Sequence, residues 1–445
     1  YHPILPLLID SDSAATELAR VRLPARFAHP EDAEAQVRLA LARHEEVFGR
    51  APRGVWPAEG AVSQEAGTLL ARQALRWFAS DAGVLARSGA WGYRVDQPEV
   101  ASRPYRVGED ANAIVGFFRD AWLSDRIGFE YHDSEEQIAA DQFIVQIRER
   151  IANRLDSPAG HLATIALDGE NPWTAYRGDG RAFLQALYHR LADDPALVTV
   201  TFSDFLDGNP GRGVPAHLAA DLELLQPLAT GSWIDEAGSP PGVDLGTWIG
   251  EPEENAAWAL LARAREEIPL GRETAARGGP AIRAIFAAEG SDWFWWLGRD
   301  QESGRDQEFD DLFRGHLLTA YHASGRPSPP DLQRHLVPHT VTWSFVAPVP
   351  TVQEGDDLVV VTNCPGSLEW RFDGGVPQQS PLFPVRGVLG GLGRHRLNLA
   401  PVPPGTRLIE FRFRCAHEGC PERSPCRDAS WQRVNVLAAG GGADV

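Results

Sequence analysis

Two short stretches place a carboxylate where a solvated surface acid has no reason to sit. "GVWPAEGAVS" (54–63) carries Glu59 three residues after Trp56, and "IALDGENPW" (165–173) carries Asp168 five residues before Trp173. Each acid closes an apolar run and sits near Pro and Trp. Two carboxylates turned toward one site can divide into a nucleophile and a proton donor, the arrangement that breaks glycosidic bonds. Trp56 and Trp173 would then stack on the apolar face of a sugar ring. The same pattern also suits two strand-end acids that cap helices or bind arginine.

Other stretches hold further candidates. "SDWFWWLG" (291–298) sets Trp293, Phe294, Trp295 and Trp296 in succession behind Asp292. No regular element turns all of these rings to one side, so at least one is expected to line a cleft. "GSWIDE" and "GTWIGEPEEN" add Trp233, Trp248 and Glu254. "FFRDAWLSDRIGF" (117–129) sets Asp125 and Arg126 after a strand, either as a structural ion pair or as the wall of a site. "HLVPH" (335–339) has the spacing of a helical metal pair, but Pro338 stands against a helix and no Glu follows the first His. No metal site is expected there. "CAHEGCPERSPC" (415–426), with Cys364, leaves zinc, disulfides and free thiols open, and the redox compartment with them. No phosphate loop or dinucleotide fingerprint is present, since "GNPGRG" has the wrong spacing and no strand before it.

The elements that must position these residues change character along the chain. Over 1–205, apolar runs alternate with helical patterns. "PILPLLI", "RWFASD", "AIVGFFRD", "HLATIAL" and "VTVTFSDFL" read as strands, and "RGVWPAE" as a strand running into a loop. "PEDAEAQVRLALARHEEVFG", "SQEAGTLLARQAL", "EEQIAADQFIVQIRERIANRL" and "GRAFLQALYHRLADD" read as helices. Strands separated by helices argue an α/β class with a parallel sheet, long enough for a barrel with its chemistry at the C-terminal strand ends. Helical patterns follow at 253–268, 277–289 and 307–324, and "SGRPSPPDLQ" marks a boundary. From about 337, six short alternating runs predict a small all-β sandwich.

Bulk numbers bound the function. The chain has 445 residues and a formal net charge of −19, which argues against nucleic acid or an anionic membrane as a partner. It has no Met, and all 42 basic residues are Arg. No apolar run approaches the length of a membrane span.

Taken in order, "HPILPLL", "GVWPAEGAVS", "LSDRIGF", "ALDGENPW", "GSWI", "TWIGEPEENAAW" and "GSDWFWWLGRDQESG" resemble glycoside hydrolase family 57, and within it the amylopullulanase and α-amylase branch. The resemblance covers residues 1 to about 325. It implies an incomplete (β/α)7 barrel over 1–208 and a helical domain over 209–335 that completes the cleft. A β-sandwich over 336–437 and a disordered tail over 438–445 would follow. It implies a retaining glycoside hydrolase acting on α-glucans, with Glu59 as nucleophile and Asp168 as general acid/base. Substrate contacts would come from His2, Trp56, Asp125, Arg126, Trp173, Trp233, Trp248, Glu254, Asp292, Trp293 and Trp296. No cofactor would be required, though a structural calcium ion is compatible. The partner would be the α-glucan, with no nucleic acid and no membrane. The location would be cytoplasmic, with secretion as the alternative. Rival readings are a 4-α-glucanotransferase or glycogen branching enzyme of the same family, a non-catalytic α-glucan-binding protein, and a barrel deacetylase whose metal triad is not found. Trp343 or Trp370 could give the sandwich a glucan-binding role. The family's opening His-Gln-Pro and Gly-Gln-x-Glu strands have no counterpart here, and an N-terminal segment outside the sequence is expected to carry them.

Overall fold

The computed structural model describes residues 1–16, 18, 21–157, 160–169, 172–234, 243–268, 279–298, 301, 303–384, 395–399, 401–416 and 430–438. The chain forms two compact units, Tyr1–Gln301 and Glu302–Val445.

The first unit is mixed α/β. Its sheet joins β1 (Gly54–Val55), β2 (Trp77–Asp81), β3 (Tyr105–Val107), β4 (Ile114–Arg119) and β5 (Leu224–Leu225) in the order β1-β2-β4-β3-β5. β1, β2 and β4 run parallel, β3 is antiparallel to β4, and β5 is parallel to β3. β4 is buried at every position and β2 at four of five, as expected for strands covered on both faces. Among the described residues the sheet is this five-stranded mixed one rather than a ring of parallel strands. Helices flank it. Pro30–Phe48 ends on Gly49 at φ 69°, a left-handed cap that glycine adopts without strain. Gln64–Arg72 starts at Ser63, whose hydroxyl accepts from Ala66 N at 3.1 Å.

Three expected strands do not form. "PILPLLI" becomes the helix Leu5–Ile9, with Pro6 in the first turn, where its missing N–H costs nothing. A short buried apolar run carries no period that separates strand from helix. "VTVTFSDFL", expected as one strand, instead holds the helix Phe202–Asp207, whose Asp204 N donates to the capping Thr201 Oγ1 at 3.0 Å. The run before Asp168 is held only by scattered bonds, such as Asp120 N to Thr164 O (2.8 Å) and Leu162 N to Ser102 O (2.6 Å).

Helices Pro252–Glu267, Pro280–Ala288 and Ser291–Leu297 complete the unit. Phe294 stacks on Trp258 at 4.3 Å, and Trp258 packs on Phe27 at 5.3 Å. A buried polar knot ties these helices to Pro30–Phe48. Arg265 donates to Asp32 through Nε (2.5 Å) and Nη2 (3.1 Å), and Gln36 Nε2 donates to Glu289 at 2.6 Å.

The second unit begins with the helix Asp306–Ala323, so the helical region expected to run to 335 is divided after Gln301. Polar bonds explain the attachment. Asp310 on that helix accepts from Arg314 Nε (2.6 Å), Leu336 N (2.9 Å) and the His339 ring (3.0 Å). The Pro-rich run is therefore a turn inside this unit. His335 and His339 stack at 3.6 Å, each beside its own aspartate, Asp356 and Asp310. Two sheets follow, β10-β9-β13-β14-β7 and β11-β12-β8-β6. Their strands are β6 (Thr340–Ser344), β7 (Thr351–Gln353), β8 (Asp357–Thr362), β9 (Gly366–Phe372), β10 (Gln378–Pro381), β11 (Phe383–Pro384), β12 (His395–Leu399), β13 (Leu408–Cys415) and β14 (Gln432–Leu437). Both sheets feed one core that includes Leu358, Leu397, Phe411 and Val434. Trp343 is 2% exposed in that core and cannot meet a glucan, while Trp370 is partly buried, with its Nε1 3.3 Å from Ser380 Oγ. Cys364 is disulfide-bonded and Cys415 is free; Cys420 and Cys426 lie outside the described residues, as does the tail beyond Ala438. No helix among the described residues is long and apolar enough to cross a membrane.

Candidate active site

β1 delivers Glu59. The strand breaks at Trp56-Pro57 into the 3-10 turn Ala58–Gly60, and Glu59 sits at φ 54°, ψ 25°. A left-handed backbone is uncommon for a non-glycine residue and persists only where the surroundings enforce it. Those surroundings are visible. Ser80 at the end of β2 donates to Gly60 O at 2.7 Å, Val62 and Gly231 exchange backbone bonds, and Trp233 N donates to Glu59 O at 3.2 Å. Together they turn the Glu59 side chain into a cleft of about 780 Å³.

The cleft brings together Glu59, Asp168, Asp125, Trp233, Asp292 and Trp296 from the expected set. Trp233 Nε1 donates to Glu59 Oε2 at 2.8 Å. His2 lies 4.0 Å from Glu59 Oε1 and is anchored by Ser291, whose Oγ is 2.8 Å from Nδ1 and whose N donates to His2 O at 2.9 Å. Burial raises the Glu59 carboxyl above the ordinary glutamate value. The Trp233 bond and the His2 charge pull it down, and Asp168 and Asp292 push it further up. The acids are thus close enough to feel one another, as a two-carboxylate site requires.

Five expected contacts are not among the residues that line this cleft. Trp56 braces Trp233 edge-on at 4.9 Å. Trp173 packs on Tyr176 (5.5 Å) and over Gly180, where a Cβ would come within 2.5 Å of its ring. Trp248 is fully buried behind Trp295, 6.0 Å away. Glu254 is buried and accepts from Glu251 N at 3.0 Å in a capping box. Arg126 lies over the Trp122 ring at 4.2 Å and pairs with Glu130. Trp293 also leaves the cleft, its Nε1 donating to Ala287 O at 2.6 Å, so Trp295 and Trp296 are the rings of that helix that face the cavity.

Sequence reasoning missed Arg119, Phe129 and His132, which also line the cleft, and it did not single out Trp295 from its run of rings. Phe129 is 68% exposed, on a π-helical turn, Arg126–Glu130. Such turns often mark functional sites. Arg119 carried a readable signal, a charge closing an otherwise apolar strand. Among the described residues no group of three or more His, Cys, Asp or Glu side chains could hold a metal ion.

Residues 1–219 match the sequence model of glycosyl hydrolase family 57. No curated protein matches the chain. Among solved structures, a branching enzyme of that family from Thermococcus kodakaraensis is similar at 17% identity and TM-score 0.50, over 72% of this chain and 64% of that one. The chain therefore spans less than two thirds of that relative's length. An α-amylase from Thermotoga maritima is similar at 16% identity and TM-score 0.50, over 73% of this chain and 68% of that one. At these identities the likeness speaks for the fold.

Proposed function

From the premise that residues 1–219 belong to glycosyl hydrolase family 57, we propose that the chain is a retaining glycoside hydrolase of the α-amylase and amylopullulanase type, acting on α-glucans. The observation that carries this reading is the convergence of Glu59 and Asp168 on one cleft walled by Trp233, Trp295 and Trp296. On the same reading the five-stranded sheet belongs to an incomplete (β/α)7 barrel and the two-sheet unit is a β-sandwich.

Glu59 attacks the anomeric carbon while Asp168 gives a proton to the leaving oxygen. A glycosyl-enzyme forms; Asp168 then takes a proton from water as the water oxygen attacks the anomeric carbon and the bond to Glu59 breaks, freeing its carboxylate. The Trp233 N–H holds one Glu59 oxygen at 2.8 Å and leaves the other for attack. Attack needs Glu59 ionised, so activity falls as pH drops through its raised pKa. Trp295 and Trp296 offer apolar faces to sugar rings.

Glu59→Gln tests the reading. Turnover of maltoheptaose, amylose and pullulan should fall by about 10³-fold or more, with binding retained. Wild-type turnover in the variant would refute the nucleophile assignment. The same product analysis distinguishes hydrolysis from glucanotransfer or branching, and binding without turnover by the wild type would favour a glucan-binding protein.

A further inference from the structure

Arg119 is the only arginine among the described residues lining the cleft, and its side chain is 7% exposed. A guanidinium so buried must be fully engaged, and its engagements fix its plane. Nε donates to Asp81 Oδ2 at 2.6 Å, and Asp81 is itself held by Gly83 N at 2.7 Å. Nη1 donates to Asp125 Oδ1 at 2.8 Å and to Ala166 O at 3.4 Å. The group is thereby strung between the end of β2, the short helix Ala121–Asp125 after β4 and the run that leads to Asp168. Its Cζ lies 4.7 Å from the centroid of the Trp233 ring. Trp56 meets the same ring edge-on at 4.9 Å. The indole is braced by two neighbours, and its Nε1 points at Glu59.

We infer that Arg119 is a positioning residue: it clamps the Trp233 indole in the rotamer that donates to Glu59 Oε2, and so sets the orientation of the carboxylate for attack. It acts on Glu59 through the indole that it braces. The inference rests on the proposed role of Glu59 for its effect on rate, but the Arg119–Trp233 link stands on geometry alone. Lysine at 119 can keep the ion pair with Asp81. One ammonium cannot also reach Asp125 and present a flat face to the indole.

The test is a double-mutant cycle of Arg119→Lys and Trp233→Phe on maltoheptaose, with Glu59→Gln as reference, joined to the indole N–H spectrum of the ¹⁵N-labelled protein without substrate. Trp233 is assigned by the resonance that Trp233→Phe removes. Each single variant should lose about 10–100-fold in kcat, the range of one hydrogen bond to a charged group, with KM within about twofold. The double variant should be no slower than the worse single one. The Trp233 resonance should shift in Arg119→Lys while the thermal midpoint stays near wild type. An unmoved Trp233 resonance, or kcat losses that multiply in the double variant, would overturn the inference. If Glu59→Gln kept wild-type turnover, the nucleophile reading would fail by itself, and the resonance would still decide the Arg119–Trp233 link.

Discussion

Replacing Glu289 by glutamine should make the protein more stable as the medium becomes more alkaline. Glu289 is 1% exposed and accepts from Gln36 Nε2 at 2.6 Å. Burial, then the charge of Asp32 and a hydrogen bond with it, hold its carboxyl well above the ordinary glutamate value; Gln36 and Arg265 oppose this and do not prevail. Because the folded pKa lies above the unfolded one, the folded state binds the proton more tightly. The resulting stabilisation is complete below the unfolded pKa and fades as pH rises through the folded pKa. Between those two values the wild type loses ground to a non-titrating variant at up to about 1.4 kcal/mol per pH unit. Glutamine has nearly the same shape. Its oxygen can accept from Gln36 and its amide can donate to Asp32. Urea unfolding followed by tryptophan fluorescence, from pH 5 to pH 8, measures the difference. Curves for the two proteins that run parallel across that range would refute the reasoning.

Two further changes probe the framework. Gly60→Ala puts a Cβ 2.9 Å from the Trp56 ring at φ +59°; it should cost about 1–2 kcal/mol and lower kcat, read by calorimetry and by maltoheptaose turnover, and a neutral result would mean that the turn holding Glu59 is slack. Trp343→Ala empties a site that is 2% exposed between the two sheets and should cost about 3–5 kcal/mol, seen as a lowered calorimetric transition of that unit; a loss under about 1 kcal/mol would contradict its core placement.

The sequence was legible where one element decides the outcome. The six alternating runs after 337 form β6, β8, β9, β12, β13 and β14, because a period of two leaves little choice of face. Glu59 and Asp168 were visible because charge at the end of an apolar run is conspicuous. What escaped reading depends on partners distant in sequence. Arg119 finds Asp81 only because β2 and β4 lie side by side in the sheet. Trp56, Trp173 and Trp248 are as aromatic as Trp233, and only packing decides which ring is left facing the cavity. The short edge strands β7, β10 and β11 carry Pro, Gln and Ser, a composition that does not announce a strand.

The charge lining the cleft also acts on what enters it. Glu59, Asp168 and Asp292 face the cavity, while Arg119 is already matched by Asp81 and Asp125. The balance is negative, and low-dielectric walls concentrate such a field. A neutral sugar crosses it without penalty. A chain bearing phosphate or carboxylate groups would therefore meet repulsion on its way to Trp295 or Trp296.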